Sequence, residues 1–276
     1  MVFGGKVMRL RSKEAVIGYV FILPSLIGFG LLYLIPFLSS IYYCFTKGIS
    51  NTEFVGLQNF KALFRSNSFL LALKNTMSFN LINIPLIIIL SFIFALLLGS
   101  IVKGKSFFGA FFTVPLVVPI ASVILVWQLL FHDYGFLNRV LNLFGMEPID
   151  WLGSKWSILV VTVVYIWKNC GYNVILFTAG LAGIPKEYYE SASMDGASKL
   201  TCLFRITIPL LLPTEFFVFI ISTINSFKVF REIYLLAGDY PGRNIYMLQH
   251  FMNNNFFNLN YQRLTTAAFI TFIFIF

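Results

Sequence analysis

Two stretches hold residue types whose spacing could do chemistry. Gly99-Ser-Ile-Val-Lys-Gly104-Lys105-Ser106 fits the phosphate-cradling pattern G-x-x-x-x-G-K-[ST] letter for letter. That chemistry needs the loop to join a buried strand to a helix, with an acidic magnesium ligand on another strand. Here the stretch lies between two long apolar runs, and no α/β alternation occurs anywhere in the chain. It reads as a tight turn, with Lys103 and Lys105 as basic anchors at a membrane surface. The second stretch centres on Lys168, midway in the apolar run SILVVTVVYIWKNCGYNVILFTAGL. A lysine at mid-bilayer costs about 2.5–3.5 kcal/mol on insertion scales, so it must face a protein or water-filled interior. Either it walls a translocation pathway, or it packs against a carbonyl or a carboxylate such as Glu215. Trp167, Lys168, Asn169, Tyr172 and Asn173, with Asn225 and Ser226 of a later run, are the candidate pathway residues. Trp167 and Tyr172 offer aromatic faces for stacking, although aromatic side chains also serve ordinary packing.

Other chemistries find no residues. His132 and His250 are the only histidines, and Cys44, Cys170 and Cys202 lie far apart. Neither a metal centre nor a disulfide framework fits that spacing, no catalytic constellation is present, and no cofactor is implied. The chain is 58% hydrophobic and 11% charged, with a mean hydropathy of +0.83. Soluble domains carry about 25% charged residues. The net charge of +9 is scattered over segment ends and forms no aromatic-interleaved basic face, which argues against nucleic acid and for membrane lipid.

These residues must be positioned by membrane helices. Six apolar runs stand out: Ala15–Phe45, Met77–Val102, Phe107–Phe131, Ser157–Leu181, Ile208–Phe227 and Leu264–Phe276. Uninterrupted runs of this length predict an all-α, polytopic membrane bundle of six transmembrane helices, in one domain covering residues 1–276. The first run is basic-flanked and of full spanning length, so it reads as an uncleaved helix. Pro24 and Pro36 kink it or mark its ends, and Pro115 and Pro119 kink the third. The last run stops after about 13 residues, short of the ~20 needed to span; it reads as truncated or re-entrant. Phe54–Phe64 and the segment after Gly135 (Phe136 to Phe144) read as interfacial amphipathic helices. Trp151 and Trp156 suit an outer aromatic belt. Basic residues are about twice as dense in the segments on the N-terminal side of the membrane, which places the N-terminus in the cytoplasm.

Ile184–Pro213, IPKEYYESASMDGASKLTCLFRITIPLLLP, is polar and patterned between two apolar runs. Pro185 opens a helix, and Glu187 and Glu190 place negative charge near its positive end. Gly196 breaks the helix after Asp195, and a second short helix follows from Ala197 to about Thr207. The pair is either a protruding docking element or an ordinary interfacial helix. The stretch also resembles the cytoplasmic EAA loop of ABC-importer permease subunits. Glu190, Ala192, Asp195, Gly196, Ala197, Phe204, Ile206, Pro209 and Pro213 stand where that motif expects them, with Ser191 in place of the usual Ala. The resemblance implies a coupling loop at about residues 184–208, with Glu187, Tyr188, Glu190, Ala192, Asp195, Gly196 and Ala197 seated on an ATPase.

The likeness extends along the chain. Gly18-Tyr19, Leu23-Pro24-Ser25 and Ile35-Pro36 resemble the first core helix of the maltose-type sugar permease. Gly56, Leu57, Asn59 and Phe60, then Asn75-Thr76, resemble carbohydrate-permease signatures, as does SFKVFREIYLLA. The family's following Thr-x-Gly-Gly-Pro is degraded here to Ala237, Gly238, Asp239, Tyr240 and Pro241, within an extracellular polar-aromatic loop running to Tyr261. The resemblance implies a type I importer permease in the cytoplasmic membrane. It would work with a second permease, ABC ATPase subunits that bind the ATP, and an extracellular sugar-binding protein. The solute could be a mono- or oligosaccharide or a glycerol-phosphate. The rivals are an ion-coupled secondary transporter, which would show inverted repeats or proton-coupled carboxylates, and a membrane-embedded enzyme.

Overall fold

Helix α1 (Phe3–Phe29) runs into a π-helical turn at Gly30–Leu34 and continues as α2 (Ile35–Cys44). The wide turn has a local cause. Pro36 has no N–H to donate and its ring crowds the carbonyl one turn back. The helix loosens there, and the Ile35 N–H reaches back to the Gly30 carbonyl instead. The same device recurs before Pro209, as described below. A computed structural model describes residues 3–48, 53–100 and 105–275. The Lys103 turn and Phe276 lie outside these.

The described residues divide into two units. The first comprises the chain up to Arg65, with residues 258–274. After α2, a two-stranded antiparallel ribbon, β1 (Thr46–Lys47) and β2 (Glu53–Phe54), leads to α3 (Gln58–Phe64). This short ribbon is a local connection within an all-α fold. Asn59 of α3 donates to the carbonyls of Cys44 (3.0 Å) and Thr46 (2.9 Å), tying α3 to the end of α2. Phe60 packs on Phe45 and, edge-on, on Phe269. The Gly56-to-Phe60 signature is thus a structural fastening.

The second unit covers Ser66–Phe257. It holds α4 (Asn67–Ser100), α5 (Lys105–Val117), α6 (Ile120–Phe131), α7 (Phe136–Leu143) and α8 (Ser157–Ala182). It continues with α9 (Lys186–Met194), α10 (Lys199–Cys202), a π turn at Leu203–Thr207, and α11 (Ile208–Phe227). Last come α12 (Phe230–Ala237) and α13 (Leu248–Phe257), before α14 (Tyr261–Ile275), which belongs almost wholly to the first unit. Helices α4, α5 and α11 pack around α8 over a core that includes Phe79, Ile87, Tyr165, Val174, Phe177, Val218 and Ile233. One contact is very close: a Cβ on Gly171 of α8 would lie 1.8 Å from the Phe112 carbonyl oxygen of α5. Only glycine permits that approach.

Among the described residues, five segments are long and apolar enough to cross a membrane: Ala15–Cys44, Asn67–Gly99, Ile120–Leu143, Ser157–Ala182 and Lys199–Ala237. The chain is a multi-pass membrane protein. The sixth apolar run is α14, 15 residues long.

Three expectations change. The third apolar run is broken rather than kinked: Pro119 takes an extended ψ of 129° and caps α6, leaving α5 and α6 as separate helices. Trp151, read as a belt residue, is also a packing residue. Its indole N–H donates to the buried Asn138 (3.0 Å), and its ring packs on Phe131. The stretch before Tyr261 contains α13, fastened to the start of α4. Asn75 donates to the carbonyls of Arg243 (2.6 Å) and Tyr246 (3.0 Å), and Thr76 accepts from the Leu248 N–H (2.9 Å).

Candidate functional site

The joint between α8 and α11 is built from local rules. Pro185 caps α9, and Glu187 lies in its first turn. At the other end the Gly196 N–H bonds the Ser193 carbonyl (3.1 Å) and the Ala197 N–H bonds the Ala192 carbonyl (2.9 Å). This is a Schellman closure, and it requires the left-handed φ of +75° that Gly196 adopts. Ser198 then caps the next helix by accepting from the Thr201 N–H (3.2 Å). The expected second helix from Ala197 to Thr207 takes a different form. It begins at Lys199 and runs through the π turn into α11, because Pro209 removes a donor as Pro36 does. Tyr189 and Thr207 share a hydrogen bond of 2.9 Å, holding α9 against that turn.

No residue of α9 is buried. Glu187, Glu190, Asp195 and Gly196 are exposed, and Ala192 and Ala197 are half-buried. Tyr188, Met194, Leu200 and Phe204 expose between 53% and 83% of their surface. The joint therefore presents large apolar side chains set among acidic ones.

A second feature lies within the α4–α13 unit. The break at Pro119, the middle of α8, the end of α11 and the start of α12 enclose an open cleft of about 970 Å³. Lys168 reaches into it and forms an ion pair with Glu232 of α12. Glu232 is buried (4% exposed), and its second carboxylate oxygen has no hydrogen-bond partner. The suggested pairing of Lys168 with Glu215 is therefore corrected: the acid is Glu232, and Glu215 faces an apolar pocket elsewhere on α11. Glu232 was missed because it stands beside Arg231, with which it reads as a solvated charge pair at the end of a span. The signal was present, because Val229, Glu232 and Leu236 recur at helical spacing on one buried face.

Of the candidate pathway residues, Lys168, Asn169 and Asn225 line the cleft. The other four do not. Trp167 packs edge-on against Trp127, and Asn173 donates to Ser222 Oγ (2.9 Å) between α8 and α11. Ser226 donates to the Thr223 carbonyl (2.7 Å), and Tyr172 is partly exposed outside the cleft. Pro119, where the helix is broken, lines this cleft.

Residues 87–276 match the family described as "Binding-protein-dependent transport system inner membrane component". The chain is 32% identical to the trehalose/maltose transport system permease protein MalF of Thermococcus litoralis, over 85% of this chain and 81% of that one. It is 31% identical to the multiple sugar-binding transport system permease protein MsmF of Streptococcus mutans, over 94% and 91%. The sn-glycerol-3-phosphate transport system permease protein UgpA of Agrobacterium fabrum is 30% identical, over 89% and 86%. Among solved structures, a chain of a bacterial alginate ABC transporter superposes with a TM-score of 0.82 at 21% identity, covering 95% of this chain and 91% of that one. At that identity the likeness concerns the fold.

Proposed function

We propose, because the chain belongs to the binding-protein-dependent transport system inner membrane component family, that it is the permease subunit of an ATP-driven ABC importer for a carbohydrate-class solute. The single observation that carries the coupling part of this reading is the exposed, Schellman-closed joint between α8 and α11. Its Tyr188, Met194, Leu200 and Phe204 offer an ATPase an apolar surface, and Glu187, Glu190 and Asp195 orient it. A second permease, ABC ATPase subunits that bind the ATP, and an extracellular sugar-binding protein complete the assembly. The chain itself does no chemistry on the solute. We read its N-terminus as cytoplasmic from the denser basic residues of the N-terminal-side segments, and residues 1–276 as one permease domain with a coupling segment at about 184–208. The cleft around Lys168, Asn169 and Asn225 supplies one wall of the pathway.

Uptake of labelled maltose, trehalose, a raffinose-type oligosaccharide and glycerol 3-phosphate by cells carrying the whole system tests this reading. Uptake of at least one, abolished by deleting this chain or by inactivating the ATPase, is expected. Uptake that persists without an ATPase and collapses with the proton gradient would establish the ion-coupled alternative.

A further inference from the structure

The cleft around Lys168 carries more positive charge than it balances. Lys168, Lys228 and Arg231 all line it, and among the described residues Glu232 is the one acid that does. Glu232 is already committed to Lys168. Its second oxygen has no hydrogen-bond partner, so neither Lys228 nor Arg231 engages it. Asp239 lies beside the Tyr234 hydroxyl and does not itself line the cleft. Three cations less one acid leave a surplus of two positive charges in the wall. Lys228 follows the last turn of α11, and Arg231 lies in the first turn of α12. Both are exposed, and among the described residues no ion pair engages either one.

Lysines and arginines at the ends of spans ordinarily serve the membrane surface. These two differ because they share one cavity with Lys168, from the middle of α8. At about 970 Å³ that cavity has the volume of a small-molecule site. A cleft lined by one sign of charge gathers counter-ions. A neutral solute entering it leaves both surplus charges unanswered, whereas an acidic solute answers them. Arg231 offers a planar fork that grips an oxyanion through two parallel hydrogen bonds, and Lys228 adds a point charge. Asn169, Asn225 and Gln249 supply amides, which both donate to and accept from hydroxyls. We propose that the solute is an acidic carbohydrate, whose carboxylate, phosphate or sulfonate is taken by Arg231 and Lys228 while its hydroxyls bond the amides. The inference rests on the importer reading and on the cleft as a pathway wall. The charge class of the solute is additional to that reading.

The test is uptake by cells carrying the complete transporter. The labelled probes are digalacturonate, glycerol 3-phosphate and a sulfonated glucoside, with maltose and trehalose as neutral controls. Uptake of at least one acid is expected, and which one enters tells carboxylate, phosphate and sulfonate apart. Arg231→Gln should raise the KM for that acid at least about tenfold, the loss expected of a charge-assisted hydrogen bond. Lys228→Gln should raise it severalfold, and Arg231→Lys, which keeps the charge and loses the fork, should fall between wild type and Arg231→Gln. Each variant is scored for membrane level and for ATPase co-purification, so a folding defect is told from a binding one. ATPase-dependent uptake of the neutral sugars alone, or of no probe, overturns the acidic class and leaves the importer reading standing. Wild-type KM for the acid in a stably inserted Arg231→Gln likewise overturns it. Uptake that persists without the ATPase overturns the importer reading and this inference with it.

Discussion

Replacing Lys168 by methionine leaves Glu232 buried as an unpaired carboxylate. Removing one partner of a buried ion pair costs about 3–5 kcal/mol. The Lys168 side chain is 28% exposed, against 5% for Glu232, so solvent screening reduces the figure to about 2–3 kcal/mol. For a chain of this size that corresponds to a fall in melting temperature of roughly 4–12 °C. Lys168→Met with Glu232→Leu removes both charges and should recover most of the loss, since an apolar pair of similar volume is often neutral. The assay is a double-mutant cycle: thermal unfolding of wild type, both single variants and the double variant, in nanodiscs. A coupling of about 2 kcal/mol is expected between residues in contact. Additive effects, within about 0.5 kcal/mol, would refute the pairing of α8 with α12 as a determinant of stability.

Other expectations follow from single contacts. Gly171→Ala drives a methyl into the Phe112 carbonyl and forces α5 off α8, so folded yield should fall sharply, beyond the usual 1–3 kcal/mol or so of overpacking. Gly180→Ala meets mainly the ends of the Thr214 and Leu211 side chains, and size-exclusion yield should show a milder loss. Burial pushes the His250 imidazole down from 6.5 to about 4. A depressed histidine is neutral when folded and binds more protons when unfolded. Its contribution is therefore complete above about pH 6.5 and is lost as pH falls toward 4. The protection of the Leu248–Phe257 amides, relative to their intrinsic exchange rate at each pH, should fall between pH 7 and pH 5, and His250→Phe should flatten that dependence. Asn75→Ala removes two hydrogen bonds that hold the segment before α13, and the same exchange experiment should show that segment loosened at every pH.

How much was legible depends on how far each signal reaches along the chain. The spans were readable because membrane solvent demands long apolar runs, and the limits of α8 agree with the apolar run within a residue. The Gly196 turn was readable because a helix stop is a local event. The break at Pro119 was only half legible. Proline announces a disturbance, but whether a helix kinks, opens into a π turn or breaks depends on what lies beside it. Pro36 and Pro209 open π turns, and Pro119 borders a cleft. The Lys168–Glu232 pair was illegible as a pair because 64 residues separate its members. Asn173 and Ser226 looked like pathway residues because polar groups in a span invite that reading, yet both satisfy hydrogen bonds inside the bundle. Strand pairing at Thr46–Lys47 escaped notice because two residues per strand carry no period.

The central claim is that the α9 joint couples this permease to its ATPase. The direct measurement is co-purification of the ATPase with Gly196→Pro, Gly196→Asn and Glu190→Arg, scored beside uptake on the same membranes. Proline cannot adopt a φ of +75°, whereas asparagine tolerates that region. Gly196→Pro and Glu190→Arg are expected to insert normally yet lose both the ATPase and uptake, with Gly196→Asn close to wild type. Full ATPase recovery and wild-type uptake in Gly196→Pro and Glu190→Arg would contradict the account and leave the joint an interfacial helix.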